Sequence, residues 1–327
     1  MNELPHFTLP DLEFFNGGEY ALLLPGQGVQ KEGMGWDLVR NSPAAWKVFY
    51  VAQEALGGEF YQTLLETMFA GSKEELSDTS ITQPAIVLLS YAMHVAFFEA
   101  YPDLKSKKPA FYIGHSLGEI TALALAGVVD IKMALKIAKA RGQFMKEAGE
   151  KQKGAMAALK TSMQEAQTLC NEVLDEAGLK SGLVIANDNK PEQIVISGTE
   201  ELIIAALIKA RLKKITGKKL PVSIAAHSPL MQSAKDDFAA FLEKEKIEFK
   251  IPNAPIILNG TAKPSTDPDE IKRSIIDALT TGVKFRESIL GLLEKGMKNF
   301  LEIGTGPLSE MVEKISSDTK QLQVDFG

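Results

Sequence analysis

Residues 109–126 constrain this chain more than any other stretch. They read Pro109-Ala110-Phe111-Tyr112-Ile113-Gly114-His115-Ser116-Leu117-Gly118-Glu119 and then continue as Ala/Leu-rich sequence to Ala126. A short apolar run meets G-x-S-x-G and a helical pattern follows at once, the strand–turn–helix context that gives this motif its meaning. Gly114 and Gly118 let the strand and helix backbones approach closely, where a Cβ would obstruct. Ser116 is then held on a strained corner with its hydroxyl exposed. The helix behind it aims N–H groups and a positive dipole end at any oxyanion formed there. The competing reading is a Gly-rich helix start with Ser116 as its cap.

The rest of the chain alternates strands and helices around this corner, which predicts an α/β fold with a mainly parallel sheet. Strands are expected at 20–24, 110–113, 256–258 and 300–303, and helices at 36–57, 60–68, 83–100, 131–148, 231–245, 267–279 and 285–295. Pro84 fits the first turn of the third helix, with Asp78-Thr79-Ser80 as the break before it. Residues 152–222 have a different rhythm. Strands at 155–159, 183–187, 194–197 and 220–223 and helices at 162–177 and 199–214 give the order βαββαβ, a ferredoxin-like unit. The expected organisation is an N-terminal arm (1–18), a large subdomain (19–151 and 223–327) and an inserted small subdomain (152–222). A cleft between the two subdomains should lie near the elbow. Phe14 and Phe15 suggest that the arm packs on something.

Several function classes drop out. The net charge of −6 argues against a general nucleic-acid binder. Cys170 is the single cysteine, so a disulfide framework or cysteine metal cluster is not expected. Metal-ligand spacings such as H-E-x-x-H are missing, and no metal or cofactor is expected. No apolar run approaches the 18 or so residues of a membrane span, and Met1-Asn2-Glu3-Leu4-Pro5-His6 lacks the basic start and apolar stretch of a signal peptide. The expected compartment is the cytoplasm. The loop Pro25-Gly26-Gln27-Gly28-Val29-Gln30 follows a strand, but Lys31 stands where a dinucleotide fingerprint needs glycine. The better reading is a loop that brings a backbone N–H to a reacting centre.

A serine nucleophile needs a base. Of the four histidines, His6 is in the arm and His94 is mid-helix. His115 adjoins Ser116 on a sharp turn, where neighbouring side chains diverge. His227 lies in a loop at the subdomain junction, where a base can be aimed into a cleft. The alternative is a junction histidine that merely holds the loop. No carboxylate between Ser116 and His227 sits at a convincing strand end. Nucleophile and base are therefore expected to work as a pair, with a main-chain carbonyl fixing the imidazole tautomer.

With these residues in hand, the chain resembles the malonyl-CoA:acyl carrier protein transacylase family, including the acyltransferase domains of polyketide synthases. The matching motifs occur in order: Pro25–Gln30, Thr82-Gln83-Pro84-Ala85, Gly114–Glu119, Arg141-Gly142, Ala186-Asn187 through Gln193–Gly198, Ala226–Met231, and Glu302-Ile303-Gly304-Thr305-Gly306, the last with Thr305 where proline is usual. The resemblance implies an α/β-hydrolase-like large subdomain. It also implies that Ser116 attacks the thioester of malonyl-CoA and that His227 takes and returns the proton. The N–H groups of Leu117 and Gln27 would stabilise the oxyanion, and Arg141 would clamp the malonyl carboxylate. The phosphopantetheine thiol of acyl carrier protein would then receive the malonyl group in ping-pong fashion. The histidine-orienting carbonyl would fall near Ala278, where this sequence diverges. Polyketide acyltransferases often carry a bulky aromatic before the histidine to exclude a methyl branch; here Ala226 is small, as it often is in discrete transacylases. Lys213, Lys214, Lys218 and Lys219 form a basic cluster, read either as a solvated helix end or as a docking patch for acidic acyl carrier protein. A hydrolase that releases acyl groups from carrier protein shares the serine and histidine but leaves Arg141 without a reason.

Overall fold

The computed structural model describes residues 13–16 and 18–325, so most of the expected arm, including His6, lies outside the described residues. Helix α1 (Glu13–Asn16) buries Phe14 and Phe15. The Phe15 ring meets Tyr20 edge-on at 5.6 Å, which is the packing expected of this pair. Strand β1 (Tyr20–Leu24) follows, then α2 (Trp36–Asn41), α3 (Pro43–Leu56) and α4 (Gly58–Ala70). The single helix expected over 36–57 is thus two helices. Pro43 forces Ser42 into extended backbone, and the Ser42 hydroxyl then caps α3 by accepting from the Ala45 N–H at 3.1 Å.

The long helix α5 (Thr79–Ala100) starts earlier than its apolar pattern suggests. Asp78 is its cap and accepts from the Ser80 N–H at 3.0 Å, so Asp78-Thr79-Ser80 is a beginning and not a break. Pro84 consequently lies inside the helix, past the first turn. Against expectation, α5 is long and apolar enough to cross a membrane by length and composition, with mean hydropathy 1.5. Within that window 78% is buried in the fold, and a helix apolar all round is what a core position requires.

Strand β2 (Phe111–Gly114), α6 (Gly118–Leu125) and α7 (Ile131–Lys151) build the elbow and its neighbour. Next come β3 (Gly154–Lys160), α8 (Met163–Glu176), β4 (Leu183–Lys190), β5 (Gln193–Thr199), α9 (Glu200–Leu212) and β6 (Thr216–Lys219). The chain closes with α10 (Gln232–Lys244), β7 (Ile256–Ile257), β8 (Pro264–Ser265), α11 (Pro268–Asp277), α12 (Phe285–Glu294), β9 (Asn299–Ile303), α13 (Leu308–Ile315) and β10 (Lys320–Val324).

Two sheets result. One has the order β10-β9-β1-β2-β7-β8 and is parallel except for β8. The other, β4-β5-β3-β6, is wholly antiparallel. Alternate residues of β1 face opposite layers: Leu22 and Leu24 join the core with α5, whereas Ala21 and Leu23 join the core under α12 and α13. The antiparallel sheet has its own core with α8 and α9. Its last strand is Thr216–Lys219 rather than 220–223. All four residues are exposed on an edge, so no apolar alternation marks them. A backbone link joins the two sheets' layers, with Val283 N–H donating to Ala186 O (2.8 Å) and Asp188 N–H to Val283 O (2.9 Å). The Arg286 guanidinium reinforces it by gripping both oxygens of Asp188.

Candidate active site

Between β2 and α6 the chain turns at Ser116, whose φ of 52° lies in the left-handed region. Glycine is required on both sides. A Cβ on Gly114 would strike the Gly118–Glu119 peptide, and one on Gly118 would strike the Leu24 carbonyl. His227, also left-handed at φ 61°, reaches in from the loop after the antiparallel sheet. Its Nε2 lies 2.8 Å from Ser116 Oγ. Its Nδ1 lies 2.7 Å from Ala278 O and 3.2 Å from Thr281 O. Two carbonyls accept and cannot donate, so the proton sits on Nδ1 and Nε2 is free to accept from the Ser116 hydroxyl. Burial, then the Arg141 charge, push the His227 pKa down to about 3, and the carbonyl bonds oppose this only in part. The imidazole is therefore neutral at pH 7, the state a base requires.

Arg141 is 2% exposed and comes from α7. Its Nη1 donates to Gln83 Oε1 at 2.8 Å and its Nη2 lies 3.4 Å from Ser116 Oγ. No carboxylate salt-bridges it among the described residues. Burial lowers its pKa to about 10, and the nearby charge of Glu119 works against that shift. A buried cation held by a neutral amide is costly unless an anion completes it. The site is thus electrostatically prepared for an anionic group next to the serine.

The Gly-rich loop packs on the elbow, since a Cβ on Gly26 would strike the His115 carbonyl. Gln27 and Leu117 are thereby neighbours, and neither main-chain N–H has an acceptor among the described residues. Gln27 Oε1 accepts from the Thr79 hydroxyl (3.2 Å) and Gln83 Nε2 (3.4 Å), which ties the loop to the arginine's support. Thr305, in place of the usual proline, donates its hydroxyl to Val29 O at 3.1 Å and anchors the far side of that loop. A cavity of about 700 Å³ opens beside Gln27, lined also by Thr79, Lys146, Lys219, Ser223 and Ile224.

The other two histidines among the described residues, His115 and His94, make different contacts. His115 Nε2 is 2.8 Å from Asn189 Oδ1 on β4, so its ring points toward the antiparallel sheet. His94 packs on Phe98, and burial lowers its pKa to about 4. Sequence reasoning gave no role to Gln83, Asn189, Glu119 or Asn259. Gln83 and Glu119 stand within recognised motifs, and that was the one signal available for them.

Comparison with known proteins places nearly the whole chain in one family. The acyl transferase domain family matches residues 22–323. A malonyl CoA-acyl carrier protein transacylase of Bacillus subtilis is 38% identical over 311 residues, covering 93% of this chain and 92% of the relative. One from Staphylococcus aureus is 33% identical over 305 residues, covering 92% and 93%. The solved malonyl CoA-acyl carrier protein transacylase of Coxiella burnetii superposes with a TM-score of 0.84 at 32% identity, covering 94% and 93%. A malonyl-transacylase solved in complex with a holo type II polyketide acyl carrier protein gives 0.83 at 31%, covering 94% and 96%. With its elbow, histidine and buried arginine in one site, and with this similarity along nearly its whole length, the chain belongs to the malonyl-CoA:acyl carrier protein transacylase family.

Proposed function

We propose that the protein transfers malonyl from malonyl-CoA to the phosphopantetheine thiol of acyl carrier protein through a malonyl-Ser116 intermediate. The product would supply extender units for fatty acid or polyketide synthesis. The observation that carries this reading is the buried Arg141 guanidinium, without a carboxylate salt bridge among the described residues, 3.4 Å from Ser116 Oγ, itself 2.8 Å from His227 Nε2. Ser116 Oγ attacks the thioester carbonyl as its proton passes to His227 Nε2. The N–H groups of Leu117 and Gln27 take the charge on the carbonyl oxygen. Collapse breaks the C–S bond, and His227 returns the proton to the departing CoA sulfur. The carrier thiol then reverses the sequence on the acyl-serine.

Arg141 has two uses in this scheme. Its fork grips the malonyl carboxylate, and in doing so its own charge is cancelled. That charge is one of the causes holding His227 weakly basic. A bound dicarboxylic acyl group therefore strengthens the base that activates Ser116, and an acetyl group does not. No cofactor or metal is needed.

The architecture supports the finer reading of an α/β-hydrolase-like large subdomain with a ferredoxin-like insertion. The strand order β4-β5-β3-β6 fits the insertion, and its elements fall within 152–222. The proposed compartment is the cytoplasm, where the single buried thiol of Cys170 stays reduced. The docking patch for acyl carrier protein is narrower than the lysine cluster suggests. Lys213 pairs with Glu172 at 2.6 Å and Lys219 pairs with Glu200. Lys218 instead lines a groove with Lys160 and Lys314, beside Lys190, which is itself paired with Glu310 at 2.8 Å; Lys218, Lys160 and Lys314 make the basic surface we assign to the carrier.

Single-turnover incubation with malonyl-CoA, followed by mass spectrometry, tests the reaction. Wild type should carry a malonyl adduct on Ser116 that holo carrier protein removes, and Ser116→Ala should carry none. Release of free malonate faster than transfer would make the protein a hydrolase instead.

A further inference from the structure

Asn259 lies 143 residues from Ser116 in sequence and is 4% exposed. All its polar groups are engaged at the elbow or beside it. Its side-chain Oδ1 accepts from the Ser116 N–H at 2.7 Å, and its Nδ2 donates to the Gly114 carbonyl at 2.6 Å. Its own N–H donates to Glu119 Oε1 at 2.9 Å, and its carbonyl accepts from the Lys284 N–H at 2.9 Å. One residue thus holds the end of β2, the turn, and the first turn of α6.

The need for such a brace follows from the sheet. The β2–β7 ladder ends at Ile113 opposite Ile257, after which β2 must leave the plane to form the elbow. The Gly114 carbonyl and Ser116 N–H would then be left without ladder partners, a costly state for buried backbone. The Asn259 amide offers one donor and one acceptor, as a strand peptide would. It also helps hold Ser116 at φ 52°, a left-handed conformation that is unfavourable for a non-glycine residue and persists only where the surroundings over-determine it. Because the Ser116 N–H is occupied, the elbow N–H left to meet an oxyanion is that of Leu117. Glu119 Oε1 holds the brace in turn by accepting from the Asn259 N–H.

We propose that Asn259 is a positioning residue for acylation: its side-chain amide sets the elbow so that Ser116 Oγ meets His227 Nε2 and the Leu117 N–H faces the oxyanion. This inference rests on Ser116 being the nucleophile, and its test separates the two claims. Rapid-quench acylation over a range of malonyl-CoA concentrations yields a rate constant and an apparent Kd for wild type, Asn259→Ala and Asn259→Asp. Labelling by a serine-directed sulfonyl fluoride, which has no carboxylate for Arg141, is measured in parallel. A nucleophile displaced by about 1 Å loses roughly 10²-fold in rate. Asn259→Ala should therefore acylate about 10- to 100-fold more slowly, with Kd within about twofold, and sulfonylation should slow in step. Asn259→Asp keeps the acceptor for Ser116 N–H but sets an oxygen against the Gly114 carbonyl, so its rate should fall between the two. If Asn259→Ala yields no folded protein, Asn259→Asp decides alone. Folded variants that acylate within twofold of wild type overturn the proposal, as does weakened binding at an unchanged rate constant. So does slow malonylation with normal sulfonylation. Failure of wild type to label at Ser116 would instead overturn the nucleophile assignment.

Discussion

Replacing Arg141 by alanine tests the electrostatic design of the site. The guanidinium is 2% exposed, donates to the neutral Gln83 Oε1, and has no carboxylate partner among the described residues. A bound malonyl carboxylate therefore completes a buried pair, and removing one partner of such a pair costs about 3–5 kcal/mol. At about 1.4 kcal/mol per factor of ten, kcat/KM for malonyl-CoA should fall between roughly 10²- and 10⁴-fold. Acetyl-CoA has no carboxylate to strand, so its kcat/KM should hold or rise, because the charge that depresses His227 has gone. Arg141→Lys should fall between, since a point charge cannot reproduce the planar fork. The assay is transfer from each CoA ester to holo carrier protein, with near-ultraviolet circular dichroism as the folding control. Equal losses for malonyl and acetyl, within threefold, would refute the reasoning and make Arg141 a structural residue.

Three further outcomes follow from the same framework. Gln83→Glu puts a carboxylate where an amide now sits 2.8 Å from Arg141 Nη1, so KM for malonyl-CoA should rise about tenfold or more with acetyl transfer little changed; an unchanged malonyl KM refutes it. Lys218→Glu should raise KM for carrier protein and weaken its salt dependence while leaving KM for malonyl-CoA alone, and equal effects on both substrates would move the docking surface elsewhere. Glu302, fully buried, accepts from the Leu308 and Ser309 N–H groups, and burial raises its pKa from 4.5 to about 7. A raised acid binds its proton more tightly in the folded state, so its stabilisation is present below pH 4.5 and is lost as pH rises through 7. The loss is at most about 3 kcal/mol. Glu302→Gln should be less stable at pH 5, having lost an acceptor, yet show a shallower decline from pH 5 to 8 in urea titrations. A slope equal to that of wild type would count against the assignment.

The sequence by itself determined the elbow, because a strand that turns into a helix through two glycines leaves a local signature. It also determined the histidine, since His227 alone of four lies in a junction loop. The alternation of apolar strands and amphipathic helices was legible for the same reason: burial on one face imposes a period. Strands β6, β8 and β10 left no such trace, because short or exposed edge strands are defined by their neighbours and not by their own pattern. The tertiary structure decided how these groups meet and which neighbours support them. The carbonyl expected near Ala278 is the Ala278 carbonyl itself, 2.7 Å from His227 Nδ1, but the second one, from Thr281, carries no residue type to read. Arg141 looks like any helical arginine until α5 brings Gln83 to it across 58 residues. Asn259 looks like a turn residue until β7 sets it under Ser116. Sequence reports what a residue can do within its own segment. Which donor meets which acceptor is fixed only when the segments pack, because a hydrogen bond acts over about 3 Å of space whatever the length of chain between its ends.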